Sequence, residues 1–302
     1  MFKRLLVPLD GSSLAEAVLP LARYLAERLQ ATLILFHVVE KAAPDAVHGQ
    51  HHLREVAEAK AYLDRVAGQL SSAAVSTVQN VHEVQETGVA RTIRDHAEEL
   101  QADLIILCAH GHGGLRNVLF GSIAEQVIRH GTIPILFIRP DSMVEHVAKP
   151  IRRILVPLDG SKAHEVTIPV AATLAAKCNA QVQLLTVVPT ADTLPVKEAI
   201  TSRVSPRATA VALDSSAQQA GEYLRKTAQD LISQGVQASG AVVRGDTLSR
   251  LMEAVQVGGI DLVVMATHGR GVVDARLEGS LAPKFFPRSP VPVILMRGAE
   301  EG

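Results

Sequence analysis

The sequence contains itself twice. Arg4-Leu5-Leu6-Val7-Pro8-Leu9-Asp10-Gly11-Ser12 returns as Arg153-Ile154-Leu155-Val156-Pro157-Leu158-Asp159-Gly160-Ser161, at an offset of 149 positions. Cys108-Ala109-His110-Gly111 with Gly121-Ser122 returns as Ala266-Thr267-His268-Gly269 with Gly279-Ser280, at an offset of 158. Pro134-Ile135-Leu136-Phe137-Ile138 matches Pro292-Val293-Ile294-Leu295-Met296. Self-similarity at one long period makes the chain a tandem of two related domains, here 1–140 and 151–298 with a boundary between 139 and 150. The two offsets put about nine extra residues into the second copy. A chain of 302 residues is long enough to give each copy its own core.

Within the first copy the hydrophobic period switches repeatedly. A strand ends at Leu9. Leu14, Val18, Leu21, Leu25 and Leu29 then mark one helical face, with Ser13 and Glu16 spaced as a capping box. Strands follow at 33–39, 75–84, 104–107 and 135–138, with helices at 53–70 and 89–100 between them and a loop over 41–50. Strands alternating with helices imply right-handed βαβ units, so each copy is expected to be an α/β, doubly wound, Rossmann-like parallel sheet of five strands. Two features set the second copy apart. A polar insert over 190–216, with Pro195 and Pro206, reads as a flap or loop, and Pro287 should end the helix after Ser280 early.

Composition narrows the chemistry. Thirty Lys and Arg against 31 Asp and Glu leave a net charge of −1, and aromatics make up only 3%. A nucleic-acid surface needs a clustered basic excess and usually stacking rings, so nucleic acid is excluded as a partner. Cys108 and Cys178 fall in different copies with no metal spacing, which fits a reduced compartment, and Cys108 reads as a small buried residue. The apolar run after Met1 stops at Asp10, too short for a signal peptide or a membrane span. The expectation is a cytoplasmic protein with no membrane partner.

Each copy carries one loop with chemical content. After the apolar strand at 104–107, the stretch from Cys108 to Ser122 runs into Ile123-Ala124-Glu125-Gln126-Val127-Ile128, which is spaced as an amphipathic helix. A glycine-rich turn at a strand end followed by a helix N-terminus presents outward N–H groups and lets a phosphate come close. A plain connection with Ser122 as N-cap would look the same in one copy. The repeat after 262–265, with His268, Gly269, Arg270, Gly279 and Ser280 in register, favours binding. Asp10 and Asp159 stand at other strand ends, where ligands of doubly wound sheets sit, although either could equally make an Asx-type turn.

At these residues the chain resembles the universal stress protein family in its tandem two-domain form, over essentially all of both halves. Nucleotide-binding members carry Gly, two residues, Gly, nine residues, Gly, then Ser or Thr. Gly111, Gly121 and Ser122 match in the first copy, with Cys108 at the first glycine. In the second copy Gly269, Gly279 and Ser280 match, with Ala266 at the first glycine. The resemblance implies that Asp10 and Asp159 meet the adenine edge beside Pro8 and Pro157, and that Val38 and Val187 pack the base. It also implies ATP, ADP or AMP as ligand, with or without Mg²⁺. The last strands, 135–138 and 293–296, would pair antiparallel as in family dimers, making an intrachain pseudo-dimer open to further homodimerisation and to a protein partner. Glu278 precedes Gly279 where Phe120 precedes Gly121. An anion there costs roughly 1 kcal/mol against phosphate unless Arg270 compensates, so the first copy should bind better.

Other chemistries fit less well. No Gly-x-x-x-x-Gly-Lys-Ser/Thr occurs and no lysine lies in either glycine loop, so a nucleotide switch is favoured over a slow ATPase or autophosphorylating protein. Gly111-His112-Gly113 lacks the third glycine of a dinucleotide fingerprint. A nucleotide-free scaffold is the alternative of a different class. His48, His51 and His52 read as a solvated loop rather than a zinc site, since no fourth ligand is apparent.

Overall fold

The computed structural model describes residues 1–40, 46–47, 50–72, 74–84, 88–108, 127, 132–139, 149–194, 205–267 and 281–299. In chain order the elements are β1 (Arg4–Pro8), α1 (Ser13–Glu16), α2 (Leu19–Leu29), β2 (Thr32–Glu40), β3 (Ala46–Val47), β4 (Gln50–His51), α3 (Val56–Leu70), β5 (Ser76–Val84), α4 (Val89–Glu99), β6 (Leu104–Cys108) and β7 (Ile135–Ile138). The second copy continues with β8 (Arg153–Pro157), α5 (Thr167–Cys178), β9 (Gln181–Val188), α6 (Pro206–Ser233), β10 (Ala238–Arg244), α7 (Thr247–Val257), β11 (Leu262–Thr267), α8 (Ala282–Phe285) and β12 (Val293–Arg297). Two compact units emerge: Met1–Pro150 with Pro292–Arg297, and Ile151–Val291 with Gly298–Gly302.

In the first unit the strand order is β5-β2-β1-β6-β7-β12. The first five strands are mutually parallel, as expected. β12 joins antiparallel, with Val293 opposite Phe137 and Leu295 opposite Ile135, which is the expected pairing of the two last strands. β2 is buried at seven consecutive positions and β7 at all four, the mark of strands covered on both faces. The edge strand β5 carries Ser, Gln, Asn, His and Glu and is only half-buried. In the second unit β10-β9-β8-β11 repeat the parallel order. The strand starts are pinned alike in both. Asp103 accepts from the Lys3 and Arg4 N–H groups, and Asp261 from those of Arg152 and Arg153.

Three local expectations are corrected. The helix after β1 is capped by Ser12, not Ser13: the Ser12 hydroxyl accepts from Ala15 N at 3.1 Å. That helix also breaks after Glu16 and restarts at Leu19, because Pro20 has no N–H to give the Glu16 carbonyl. The second copy's insert is helical from Pro206 onward. Proline at the first helical turn followed by Arg-Ala-Thr-Ala-Val-Ala-Leu starts a helix readily, and α6 reaches 28 residues, about 42 Å. Strand register locates the insert. Thr32 pairs with Ser76 across 44 positions, whereas Val182 pairs with Ala238 across 56. Only Leu224, Ala228 and Leu231 of α6 are buried, so its N-terminal half is an exposed extension, with Asp214 bonded to Arg244 at 2.6 Å. As expected, α8 stops at Phe285 and gives way to a 3₁₀ turn through Pro287.

Candidate functional site

The order of strands reverses between β1 and β6: β1 leads on one side to β2, while β6 leads on the other to β7. In a doubly wound sheet this is where the carboxyl ends leave a crevice. Pro8 pairs with Phe36, so Asp10, two residues on, stands level with Val38, and Cys108 ends the neighbouring strand β6. Pro8, Asp10, Val38 and Cys108 therefore come to one end of the sheet. Val38 is buried, whereas Cys108 is half-buried, more open than the buried small residue expected there. In the second unit Pro157 pairs with Leu185, which puts Asp159 level with a half-buried Val187. Ala266 lies inside β11, one residue before its end.

The turn after β1 is built from side chains. Asp10 Oδ1 accepts from the Ser12 N–H at 2.9 Å and from the Ser12 hydroxyl at 2.6 Å, so the carboxylate does make an Asx-type turn. Gly11 has φ +88 and Leu53 packs against it. A Cβ there would stand 3.0 Å from Leu53 and strain the backbone as well. From β2, buried His37 places Nδ1 2.6 Å from the Leu9 carbonyl, with Nε2 3.4 Å from the Leu53 carbonyl. In the second copy the equivalent residue, Thr186, donates its hydroxyl to the Leu158 carbonyl at 2.8 Å. Different side chains thus hold the same carbonyl, one residue before the acid.

Two buried polar atoms flank the first copy's turn: His52 Nδ1, which has no hydrogen-bond partner among the described residues, and the Tyr62 hydroxyl, which faces the Glu16 carboxylate without closing a well-formed bond to it. His52 is 5% exposed, which corrects the solvated-loop reading for this residue. Its ring stands edge-on to His37 at 6.4 Å. Burial pushes its pKa below the ordinary imidazole range and His37 adds to this, while Glu40 and Asp10 pull the other way. Burial drives the Tyr62 hydroxyl well above the tyrosine range, helped by the charge of Glu16, by the hydroxyl's interaction with that carboxylate and by the charge of Asp10, with Arg65 opposing. Glu16 is taken by Arg65, which donates to it at 2.8 Å while lying over the Tyr62 ring.

The second copy repeats this arrangement with different bonding. Tyr223 donates to Glu165 at 3.1 Å, and burial together with the Glu165 charge pushes its pKa up to about 12. Asp159 Oδ1 accepts from Ser161 N at 2.9 Å and from His164 Nδ1 at 3.0 Å. Burial alone would raise the Asp159 pKa, but the bonds from His164 and Ser161 outweigh it and hold the carboxyl well below the usual range. The segment bearing His164 is fixed. Its carbonyl accepts from the Thr167 hydroxyl at 2.7 Å, and Ala299 N–H donates to the neighbouring Ala163 carbonyl at 3.0 Å.

The sequence profile of the universal stress protein family matches residues 1–139 and again 150–297. The chain belongs to the universal stress protein family. Among relatives, universal stress protein YxiE of Bacillus subtilis is 28% identical over 153 residues, covering 46% of this chain and 100% of that protein. Universal stress protein G of Salmonella typhimurium is 26% identical over 149 residues, covering 46% and 100%. A universal stress protein from Archaeoglobus fulgidus has the same fold across 97% of this chain and 98% of its own, with a TM-score of 0.71 and 16% identity. A putative universal stress protein from Pseudomonas aeruginosa gives 0.66 at 17% identity, over 98% and 94%. This universal stress protein is therefore a tandem: the family profile is matched once in each half, and each of these two relatives aligns over its whole length to just under half of the chain.

Of the residues read as nucleotide contacts, His110, Gly111, Gly121, Ser122, Ile123, His268, Gly269, Arg270, Gly279 and Ser280 lie outside the described residues. Six groups around the two acids were not read as site residues from the sequence: His37, Thr186, His52, His164, and the Glu16–Tyr62 and Glu165–Tyr223 pairs. One signal was available for the last two. Glu16 and Glu165 repeat at the β1 offset, and Tyr62 and Tyr223 at the offset of the β5 and β10 registers. Among the described residues no three His, Cys, Asp or Glu stand close enough to hold a metal, and no helix is long and apolar enough to cross a membrane.

Proposed function

We propose that this protein binds ATP or a related adenine nucleotide and acts as a cytoplasmic regulatory switch in a stress response. Its copies, 1–140 and 151–298, serve as one principal and one weaker nucleotide-binding domain. The observation that carries the reading is the first copy's turn at the strand-order reversal. There a carboxylate at Asp10 and an apolar wall at Val38 are joined by a buried polar atom, His52 Nδ1, that has no hydrogen-bond partner among the described residues. Buried donors and acceptors are almost always satisfied, and an exception in a crevice points to a ligand or water that completes it. An adenine brings an amino donor and ring-nitrogen acceptors to such a setting. Backbone N–H groups at Gly121-Ser122 would take the phosphates, with or without Mg²⁺, and occupancy would bias the loop after His110 and so a protein-partner surface.

Calorimetric titration of the full chain with ATP tests this. The wild type should take up ATP, and Gly121→Asp, which sets an anion against the phosphates, should weaken uptake at least tenfold. Uptake untouched by that substitution overturns the reading. Phosphate release from the purified protein tests the alternative of slow hydrolysis and is expected to stay at background.

A further inference from the structure

β10 ends the strand order of the second unit and pairs on one side, with β9. Its hydrogen-bond phase is fixed at both ends. Val182 N–H donates to the Gln237 carbonyl, and Gly245 N–H to the Val188 carbonyl. Parallel ladders use alternate residues, so 237, 239, 241, 243 and 245 turn toward β9. The N–H and C=O groups of Ala238, Gly240 and Val242 turn outward, with the N–H of Arg244, while the Arg244 carbonyl accepts from Arg250 Nε at 2.8 Å. Sheet edges are ordinarily guarded by charge, proline or a bulge. β5, the edge strand of the first unit, carries Asn80, His82 and Glu83. Residues 238–243 read Ala-Ser-Gly-Ala-Val-Val, without charge or proline.

We infer that β10 and α6 form a homodimer surface, on which β10 pairs antiparallel with β10 of a second copy of this chain about a two-fold axis at Ala241. This stands apart from the nucleotide reading.

The strand is complementary to itself in that register. Gly240 of each copy meets Val242 of the other, and Ala238 meets Arg244. Each pair joins two outward-facing residues that exchange hydrogen bonds, and the Arg244 carbonyl keeps a second lone pair for its share. The helix above is complementary in charge. A Cβ on Gly240 would stand 2.8 Å from Leu224 Cβ, and one on Gly221 would stand 4.0 Å from Val242 Cγ2, so α6 residues 221–224 lie level with 240–242. The axis at Ala241 therefore passes close to exposed Glu222 and Arg225. Two antiparallel α6 helices set the carboxylate of each copy against the guanidinium of the other. This reversed charge pair commits the surface to a second copy, because the same helix read backwards returns it. Beside the strand an open groove of about 440 Å³ is walled by Leu224, Ala228, Ile232 and Val242, with Ile232 55% exposed, and the second copy would close it. Helices over adjoining strands must approach to about 8 Å, and Gly221 on the groove side of α6 leaves room for that. Every contact is made twice, so the surface closes on two copies.

Sedimentation equilibrium of the full chain without nucleotide, over about 1 to 100 μM, tests the surface. Wild type should be dimeric at the upper end. Val242→Pro removes an outward N–H and no bond to β9, so the fold should hold while dimerisation weakens at least tenfold. Glu222→Arg and Arg225→Glu should each weaken it about tenfold, and the two together should restore it to near wild type. Ala241→Cys sets two thiols opposite each other on the axis and should oxidise to a covalent dimer where wild type does not. A monomer throughout the range overturns the inference. So does a dimer indifferent to Val242→Pro and to the single charge reversals, or an Ala241→Cys protein that stays uncrosslinked. Should Val242→Pro misfold, the other variants decide: single reversals without effect, or a double reversal that fails to rescue, overturn the inference.

Discussion

The turns after β1 and β8 share the sequence Val-Pro-Leu-Asp-Gly-Ser, yet their surroundings divide the same tasks differently. Around Asp10 a large buried imidazole, His37, holds the preceding carbonyl, His52 Nδ1 has no partner among the described residues, and the Tyr62 hydroxyl closes no well-formed bond to Glu16. Around Asp159 a threonine holds that carbonyl, the tyrosine is bonded to its glutamate, and a histidine sits on the acid. The second turn is satisfied internally; the first carries buried polar groups that nothing in the described chain completes.

The largest expected difference lies in the residue behind the turn. His37→Ala removes a fully packed ring and leaves the Leu9 and Leu53 carbonyls without it, which should cost about 3 kcal/mol from cavity and lost bonding together. Thr186→Val removes one hydroxyl with no change of shape and should cost about 1 kcal/mol. Urea unfolding of the full chain, followed by a probe in each unit, reads both. Equal costs would mean the two carbonyl supports are interchangeable and would erase the contrast.

The framework of this comparison is legible in the sequence because it rests on short-range patterns. Apolar runs such as Leu33 to Val39 can only be buried strands in an α/β chain, and the duplicated Asp-Gly-Ser fixes the equivalence of the two turns. What escaped the sequence depends on contacts between distant segments. His52 reads as a solvated histidine until the segment after β4 is seen folded back so that Leu53 covers Gly11. Tyr62 and Tyr223 meet Glu16 and Glu165 only because α3 and α6 pack near the turns, and the longer α6 hides their equivalence at either obvious offset. The break at Pro20 was legible, since the missing N–H is a local fact, but the strong period of leucines on either side masks it.

A smaller effect of opposite sign in the two copies would sharpen the contrast. Tyr62→Phe deletes a buried hydroxyl that faces Glu16 but closes no well-formed hydrogen bond among the described residues, so the apo protein should be unchanged or more stable by up to about 1 kcal/mol. Tyr223→Phe leaves Glu165 without the hydroxyl that donates to it and should cost about 1 kcal/mol. Thermal denaturation of the two variants without nucleotide gives the comparison. A loss of stability in Tyr62→Phe equal to that in Tyr223→Phe would show that Tyr62 is bonded in solution, and the distinction between an open and a closed turn would go with it.

The smallest expected effect is a pH dependence carried by a histidine pair of the first unit. His82 on β5 and His96 on α4 stand with ring centroids 4.2 Å apart, and His96 Nδ1 lies 2.7 Å from Glu99. Burial and then the neighbouring His96 lower the His82 pKa below its ordinary value of 6.5, with Glu99 opposing. A group whose folded pKa is depressed binds fewer protons folded than unfolded, so its stabilising contribution is full above pH 6.5 and is lost as the pH falls through and below that value. His52 shifts the same way and adds to it. The second unit has Val243 and Ala254 at the positions matching His82 and His96, and nothing there to titrate in this window. Between pH 7.5 and 5.5 the first unit's urea midpoint should therefore fall relative to the second's. His82→Val should flatten part of that fall, since a β-branched residue suits the edge strand and removes the like-charge contact. A fall shared equally by both units, or one unmoved by His82→Val, would assign the acid sensitivity to something other than this histidine pair.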